Sequence, residues 1–308
     1  MSYVLCYRIY CRTVHTLLQK GRKDSMSTKQ KFGGPWTIEK LNNLSNYLDF
    51  YSTALKSQPF QLIYIDAFAG TGRIKIGDEE KYEEIDGSAR LALQSSGRFA
   101  EYIFIEKKKA FVQELEQMVR QEFPDKANRV RILDKDCNEI LADICQKVDW
   151  RSNRAILFID PYAADVKWET LQTVANTKAI DVWYLFPFSA ATRMMKKSGE
   201  IDPSWVAKLN SIFGDNSWEK RFYQDDLQTN FWGETGRIRE LDSKALKSYI
   251  EERLGSIFPK VSPHSRILYN RKNSPLFLFC FAVSNDSPKA IGLALRAANY
   301  ILKDQKPS

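Results

Sequence analysis

Tyr64-Ile65-Asp66-Ala67-Phe68-Ala69-Gly70-Thr71-Gly72 is the stretch that decides how the chain folds. Its first half completes a short apolar run, Phe60–Phe68, which follows the helix-stopping pair Gln58-Pro59 and reads as a buried strand. Its second half is a glycine-rich turn. Glycine there admits positive φ and lets backbone amides come close to a ligand. In an open α/β sheet, a turn that directly follows a strand lies where ligands bind, beyond the carboxyl ends of the strands. A lone Gly-x-Gly proves little, because turns of any fold use glycine, so the flanking sequence has to decide.

Upstream, Phe32-Gly33-Gly34-Pro35-Trp36 is a turn cluster. Thr37 is the expected N-cap of a helix whose apolar positions are Ile38, Leu41, Leu44, Leu48, Tyr51 and Leu55. Downstream, helix Ser88–Gln94 precedes a strand at Tyr102–Glu106, helix Lys109–Phe123 a strand at Val130–Leu133, and helix Cys137–Lys147 a strand at Ala155–Asp160. Helix Trp168–Thr177 and strand Ile180–Phe186 follow. After about Glu240 come helix Ser243–Ile257, strands Arg266–Tyr269 and Pro275–Val283, and a closing helix Lys289–Leu302. Such alternation implies an α/β fold with a mostly parallel sheet covered by helices on both faces. Residues 32–308 then form one domain. Between about 190 and 240 strand signals fade and aromatics crowd (Trp205, Phe213, Trp218, Phe222, Tyr223, Phe231, Trp232), which marks a helical insertion after the fifth strand.

The chain has 308 residues, 44% hydrophobic and 27% charged, and a net charge of +8. Residues 1–31 hold Arg8, Arg12, Lys20, Arg22, Lys23, Lys29 and Lys31 against Asp24 alone, so +6 of that charge sits in this segment. The high isoelectric point therefore says little about phosphate binding by the folded part. The segment loses periodicity after about Leu18 and reads as a disordered basic tail. Met26 offers a second translation start, and a basic nucleic-acid arm is the alternative. Cys6, Cys11, Cys137, Cys145 and Cys280 form no Cys-x-x-Cys pair, and two histidines cannot build a His-rich site, so neither a disulfide framework nor a bound metal is expected. No apolar run approaches the roughly 20 residues of a membrane span. Arg8 and Arg12 interrupt any secretory h-region. A reducing, cytoplasmic compartment is the expectation.

Two more acids follow strand ends. Glu106 closes the second strand, and Asp136 comes just after the third. Three acids at successive strand ends, with the glycine turn, resemble the class I methyltransferases that use S-adenosyl-L-methionine. The resemblance implies that Asp66, Phe68, Gly70 and Gly72 wrap the methionine part of the donor, that Glu106 holds the ribose, and that Asp136 and Cys137 read the adenine. A dinucleotide enzyme competes with this reading. It would need Gly-x-Gly-x-x-Gly, whereas Arg73, Ile74 and Lys75 follow Gly72, and the gap from Gly72 to Glu106 exceeds the expected ~20 residues.

The fourth strand ends in Asp160-Pro161-Tyr162-Ala163. This is similar to the Asp-Pro-Pro-Tyr element of adenine amino-methyltransferases, in which the carboxylate and a proline carbonyl accept from the amino group while an aromatic ring stacks on the base. Catalysis of that kind is chiefly positioning. The resemblance assigns the catalytic roles to Asp160, Pro161 and Tyr162. Here one proline is missing and Ala163 stands where the ring would fall. Tyr162 stacks from a shifted backbone, or another aromatic such as Phe188 does, or the acceptor is not a base. The long segment between Gly72 and Gly87-Ser88-Ala89-Arg90 resembles a loop of adenine-specific ribosomal RNA methyltransferases.

Over about Phe32 to Leu302 the chain resembles the three-Cys-motif partner protein family. The marks are Phe32–Trp36, Tyr64–Gly72, Asp160–Tyr162, Trp183-Tyr184-Leu185-Phe186-Pro187 and Ser274-Pro275-Leu276-Phe277. That resemblance implies a methyltransferase-like fold and a partner, a three-Cys-motif protein encoded nearby. It leaves the acceptor open: DNA, RNA, protein or a small molecule. A partner module that keeps the donor pocket without catalysis is the alternative. In the insertion, Arg193, Lys196 and Lys197 near the cleft mouth, with interleaved aromatics, suit single-stranded nucleic acid. Trp205, Phe213 and Trp218 equally suit a small core, and Lys107-Lys108-Lys109 reads as a solvated helix start.

Overall fold

Every apolar run read as a strand pairs into one sheet. The structure, a computed structural model, describes residues 35–77, 82–229 and 235–303. The basic tail, Met26, Phe231 and Trp232 lie outside the described residues. The central strands are β1 (Gln61–Asp66), β4 (Glu101–Ile105), β5 (Val130–Leu133), β6 (Asn153–Ile159) and β7 (Ile180–Phe186), all parallel. Their order in space is β5-β4-β1-β6-β7, continued by β12 (Pro275–Val283), which is antiparallel to β7. Along the outer edge of β12 run β10 (Lys260–Val261) and β11 (Arg266–Tyr269), two pieces of one interrupted edge strand.

Side-chain alternation along β1 explains the two layers. Leu62 and Tyr64 face α1 (Pro35–Ala54), α2 (Ser88–Gln94), α3 (Lys109–Glu122) and α10 (Pro288–Lys303). Ile63 and Ile65 face α4 (Cys137–Lys147), α5 (Trp168–Asn176) and the helices of the insertion. Apolar contact on both faces is why the central strands read as continuous hydrophobic runs. Each fully buried large side chain contributes about 1.5–3 kcal/mol. Among the described residues, no helix is long and apolar enough to cross a membrane.

Three expectations are corrected. Helix α1 begins at Pro35 rather than after a Thr37 cap, since proline suits the first helical turn, and Thr37 lies buried inside the helix. The segment after Gly72 is a hairpin of β2 (Arg73–Gly77) and β3 (Tyr82–Asp86) rather than a loop. The insertion is only partly helical. Its helices α6 (Phe188–Met194), α7 (Pro203–Phe213) and α8 (Ser217–Phe222) lead into a hairpin of β8 (Tyr223–Thr229) and β9 (Thr235–Arg239). Helix α9 (Ser243–Gly255) then returns the chain to the sheet.

Candidate functional site

The glycine turn is held from three sides. Ala67 N–H donates to the Phe158 carbonyl and Ala69 N–H to that of Ile105, so the turn is fastened to both neighbouring strands at 2.9 and 3.0 Å. Gly70 and Gly72 adopt φ of +60° and +79°, which side chains of L-residues disfavour. A Cβ on Gly72 would also stand 2.6 Å from Met118 Cε, and Gly87 approaches so closely that its N–H donates to the Gly72 carbonyl at 2.8 Å.

The expected acids share the carboxyl edge, with different tasks. Asp66 is fully buried behind the turn, accepting from Phe68 N–H at 3.2 Å, from the Tyr64 hydroxyl at 3.2 Å and from Ser88. Burial pushes its carboxyl up to about 6, and the charge of Asp160 adds to the rise. Glu106 is buried and points at the turn: Oε2 accepts from Gly70 N–H at 3.0 Å and Oε1 from Lys108 N–H at 2.8 Å. A carboxylate has about four lone-pair positions, so two remain for hydroxyl donors. Asp136 is the N-cap of α4, accepting from Asn138 N–H at 3.0 Å, with Lys107 Nζ at 3.5 Å. Its bonds to Asn138 hold its carboxyl below the usual range against the opposing effect of burial. Cys137 is buried in the first turn of α4, and desolvation pushes its thiol up to about 12.

Asp160, Pro161 and Tyr162 line one cavity together with Phe68 and the Gly70–Gly72 turn. Glu106, Asp136 and Cys137 do not line that cavity; they lie further along the strand-end edge, at β4 and β5. The opposite wall comes from residues no chemical reasoning on the sequence had singled out: Trp36 and Lys40 of α1 and Phe277 of β12. Trp36 and Phe277 form a tilted ring pair, centroids 5.1 Å apart. Lys40 is 3% exposed, forms an ion pair with Asp160, and holds its ammonium 4.8 Å from the centre of the Trp36 ring. A signal for Lys40 existed. It falls on the inward stripe of α1, between Thr37 and Leu44, where an unpaired lysine would be costly. Trp36 and Phe277 belong to two of the sequence segments that marked the family resemblance, so four separated segments meet at this one cavity.

Tyr162 is 40% exposed at the mouth, with Lys108 Nζ 4.8 Å from its ring centre, and Lys107, Lys108 and Lys109 are all exposed at the start of α3, as the reading of a solvated helix start expects. Phe188 does not line the cavity. It starts α6 buried in the core, because the chain turns inward directly after β7. The insertion aromatics divide: Phe213, Trp218, Phe222 and Tyr223 are buried in the same core layer as Ile63 and Ile65 rather than in a core of their own, while Trp205 is exposed beneath Lys196, at 5.5 Å. Arg239 donates to the Thr192 and Met195 carbonyls, and Arg237 pairs with Glu219, so neither is a free cation.

The residues present fit the donor that the sequence resemblance implies. Backbone at the turn is pressed close by glycine, a strand-end carboxylate retains acceptor capacity, and a cavity opens between the turn and Asp160. No protein-family model matches the chain, and no curated protein matches it. Among solved structures, a protein from Legionella pneumophila strain Philadelphia 1 aligns at 10% identity and a TM-score of 0.45, covering 88% of this chain and 95% of that one. Magnesium protoporphyrin IX methyltransferase from Synechocystis with bound SAH aligns at 12% and 0.34, covering 80% and 83%. A methyltransferase from Geobacter sulfurreducens aligns at 11% and 0.31, covering 76% and 96%. The fold itself is a mostly parallel α/β sheet, strand order β5-β4-β1-β6-β7-β12, with helices on both faces.

Proposed function

We propose that the chain is an S-adenosyl-L-methionine-dependent methyltransferase acting on an amino nitrogen of a nucleic-acid base. The observation that carries this reading is the meeting of the Gly70–Gly72 turn and Asp160-Pro161-Tyr162 on one cavity flanked by aromatic rings. Glu106 would accept from the donor's ribose hydroxyls, and Asp136 lies one strand further out for its adenine. Asp66 keeps the turn in place from behind. When bound, the donor would supply a methyl on a sulfonium, which the amino lone pair would take while the carbon–sulfur electron pair stayed on sulfur and the nitrogen passed one proton to water. Asp160 and the Pro161 carbonyl hold the amino hydrogens and so aim the lone pair, while Trp36, Phe277 and Tyr162 offer flat surfaces to a planar acceptor. Positioning of this order is worth a large share of a transfer barrier.

The Lys40 ammonium on Asp160 favours a second reading, in which the donor pocket serves a binding module for a three-Cys-motif protein and transfer has been lost. Incubation of the full chain with methyl-labelled donor and separate fractions of cellular RNA, DNA and protein distinguishes the two. Label in a nucleic-acid fraction supports the enzyme. Donor binding without label in any fraction supports the module.

A further inference from the structure

Lys40 poses a problem of unused capacity. Its ammonium carries three N–H donors. Among the described residues one meets Asp160 Oδ2, and the Trp36 face attracts the charge without being a conventional acceptor. The remaining donors belong to a group buried on a cavity wall. A buried ammonium costs stability unless paired and hydrogen-bonded, and methionine would fill the same volume without that cost.

Resting on the reading of this site as a base methyltransferase, we propose that Lys40 and Asp160 act as one donor–acceptor pair. Together they read the edge of an aminopurine or aminopyrimidine. Asp160 accepts from the exocyclic amino group, and Lys40 donates to the ring nitrogen beside it. Adenine and cytosine both present these two functions on adjacent atoms, next to a flat ring that Trp36, Phe277 or Tyr162 can cover. The pair also explains what the site rejects. An aliphatic amine is an ammonium at neutral pH, offers Lys40 nothing to donate to, and brings a second positive charge into a pocket that already holds one. Lysine side chains and polyamines are therefore poor acceptors, and Lys40 is a specificity-determining residue.

The test uses the purified full chain saturated with S-adenosylhomocysteine and measures its affinity for short oligoadenylates and oligocytidylates. Parent strands are compared with strands in which 1-deazaadenine or 3-deazacytosine removes the ring acceptor, and with a 3-deazaadenine control that removes the ring nitrogen on the side of the base away from the amino group. The expected result is a loss of roughly tenfold or more for one of the first two substitutions, the size of one charge-assisted hydrogen bond, and none for the control. In Lys40→Met, shown to be folded by a cooperative melt, that discrimination disappears. Equal binding of parent and deaza strands by the native chain, with label still transferred to nucleic acid, overturns the edge reading alone. Absence of label from every nucleic acid overturns the underlying reading with it. A methyl found on Lys40 itself after incubation with donor alone also overturns the proposal, because the lysine is then the acceptor.

Discussion

Asp66 closes β1 at the carboxyl edge of the sheet, and Asp181 opens β7 at the amino edge. Both are buried, and each has a tyrosine hydroxyl as donor, Tyr64 at 3.2 Å and Tyr47 at 3.4 Å. Burial pushes the first carboxyl up to about 6 and the second up to about 7. What lies beyond them differs. Tyr47 packs against Trp183 and Phe281 with ring centroids at 5.3 and 4.9 Å, so Asp181 is sealed under aromatic rings. Asp66 instead fastens a glycine turn, and on the far side of that turn lies a cavity with a second acid, Asp160. A buried acid with a tyrosine partner is thus no mark of a site by itself. The backbone it holds, and the opening beside that backbone, make the difference.

The comparison breaks most visibly at Asp160. Asp160→Asn is expected to slow methyl transfer by at least ~10²-fold in single-turnover assays, since the acceptor is no longer aimed. It also leaves Lys40 without its charge partner and lowers unfolding free energy by about 3 kcal/mol, measured by denaturant titration. A stability loss with unchanged transfer would reduce the pair to a structural tie. Next in size, Glu106→Gln weakens donor binding roughly 10- to 100-fold by calorimetry, the range of charged hydrogen bonds. Asp181→Asn, at the opposite edge, leaves donor affinity unchanged. Equal effects at both edges would mean that the site reading mistakes general destabilisation for contact.

A smaller effect concerns pH. Asp66 and Asp181 bind a proton more tightly in the folded chain than in the unfolded one, where aspartate titrates near about 4. Their stabilisation is full below that pH and is lost as pH rises through about 6 and then about 7. Asp181→Asn should flatten the upper part of this decline in unfolding free energy against pH. A profile identical to that of the native chain would show that Asp181 stays charged. The smallest change is expected in the insertion: Trp205→Ala, at an exposed ring, shifts stability by no more than about 0.5 kcal/mol and leaves donor binding intact.

The sheet was legible in the sequence because its strands are buried on both faces, so Ile63–Ile65 and Ala155–Ile159 stand out as unbroken apolar runs between turns. The two hairpins were not. Tyr82–Asp86 is a mostly exposed strand with three acids, so no apolar run or alternation marks it in the sequence. The glycine turn and Asp160 were legible as well, since strand-end position and residue type together are specific. The opposite wall was hidden for a topological reason. Lys40 lies 120 residues before Asp160, and only the packing of α1 across the sheet edge brings the two together. Within its helix Lys40 looks like one more surface cation, unless the inward stripe Thr37, Leu41, Leu44 and Leu48 is drawn through it.

Calorimetric titration of S-adenosyl-L-methionine into the purified full chain tests the central assignment most directly. One-to-one binding is expected, weakened by Glu106→Gln and unchanged by Asp181→Asn. Absence of binding by the native chain, or binding that Glu106→Gln leaves untouched, would contradict it.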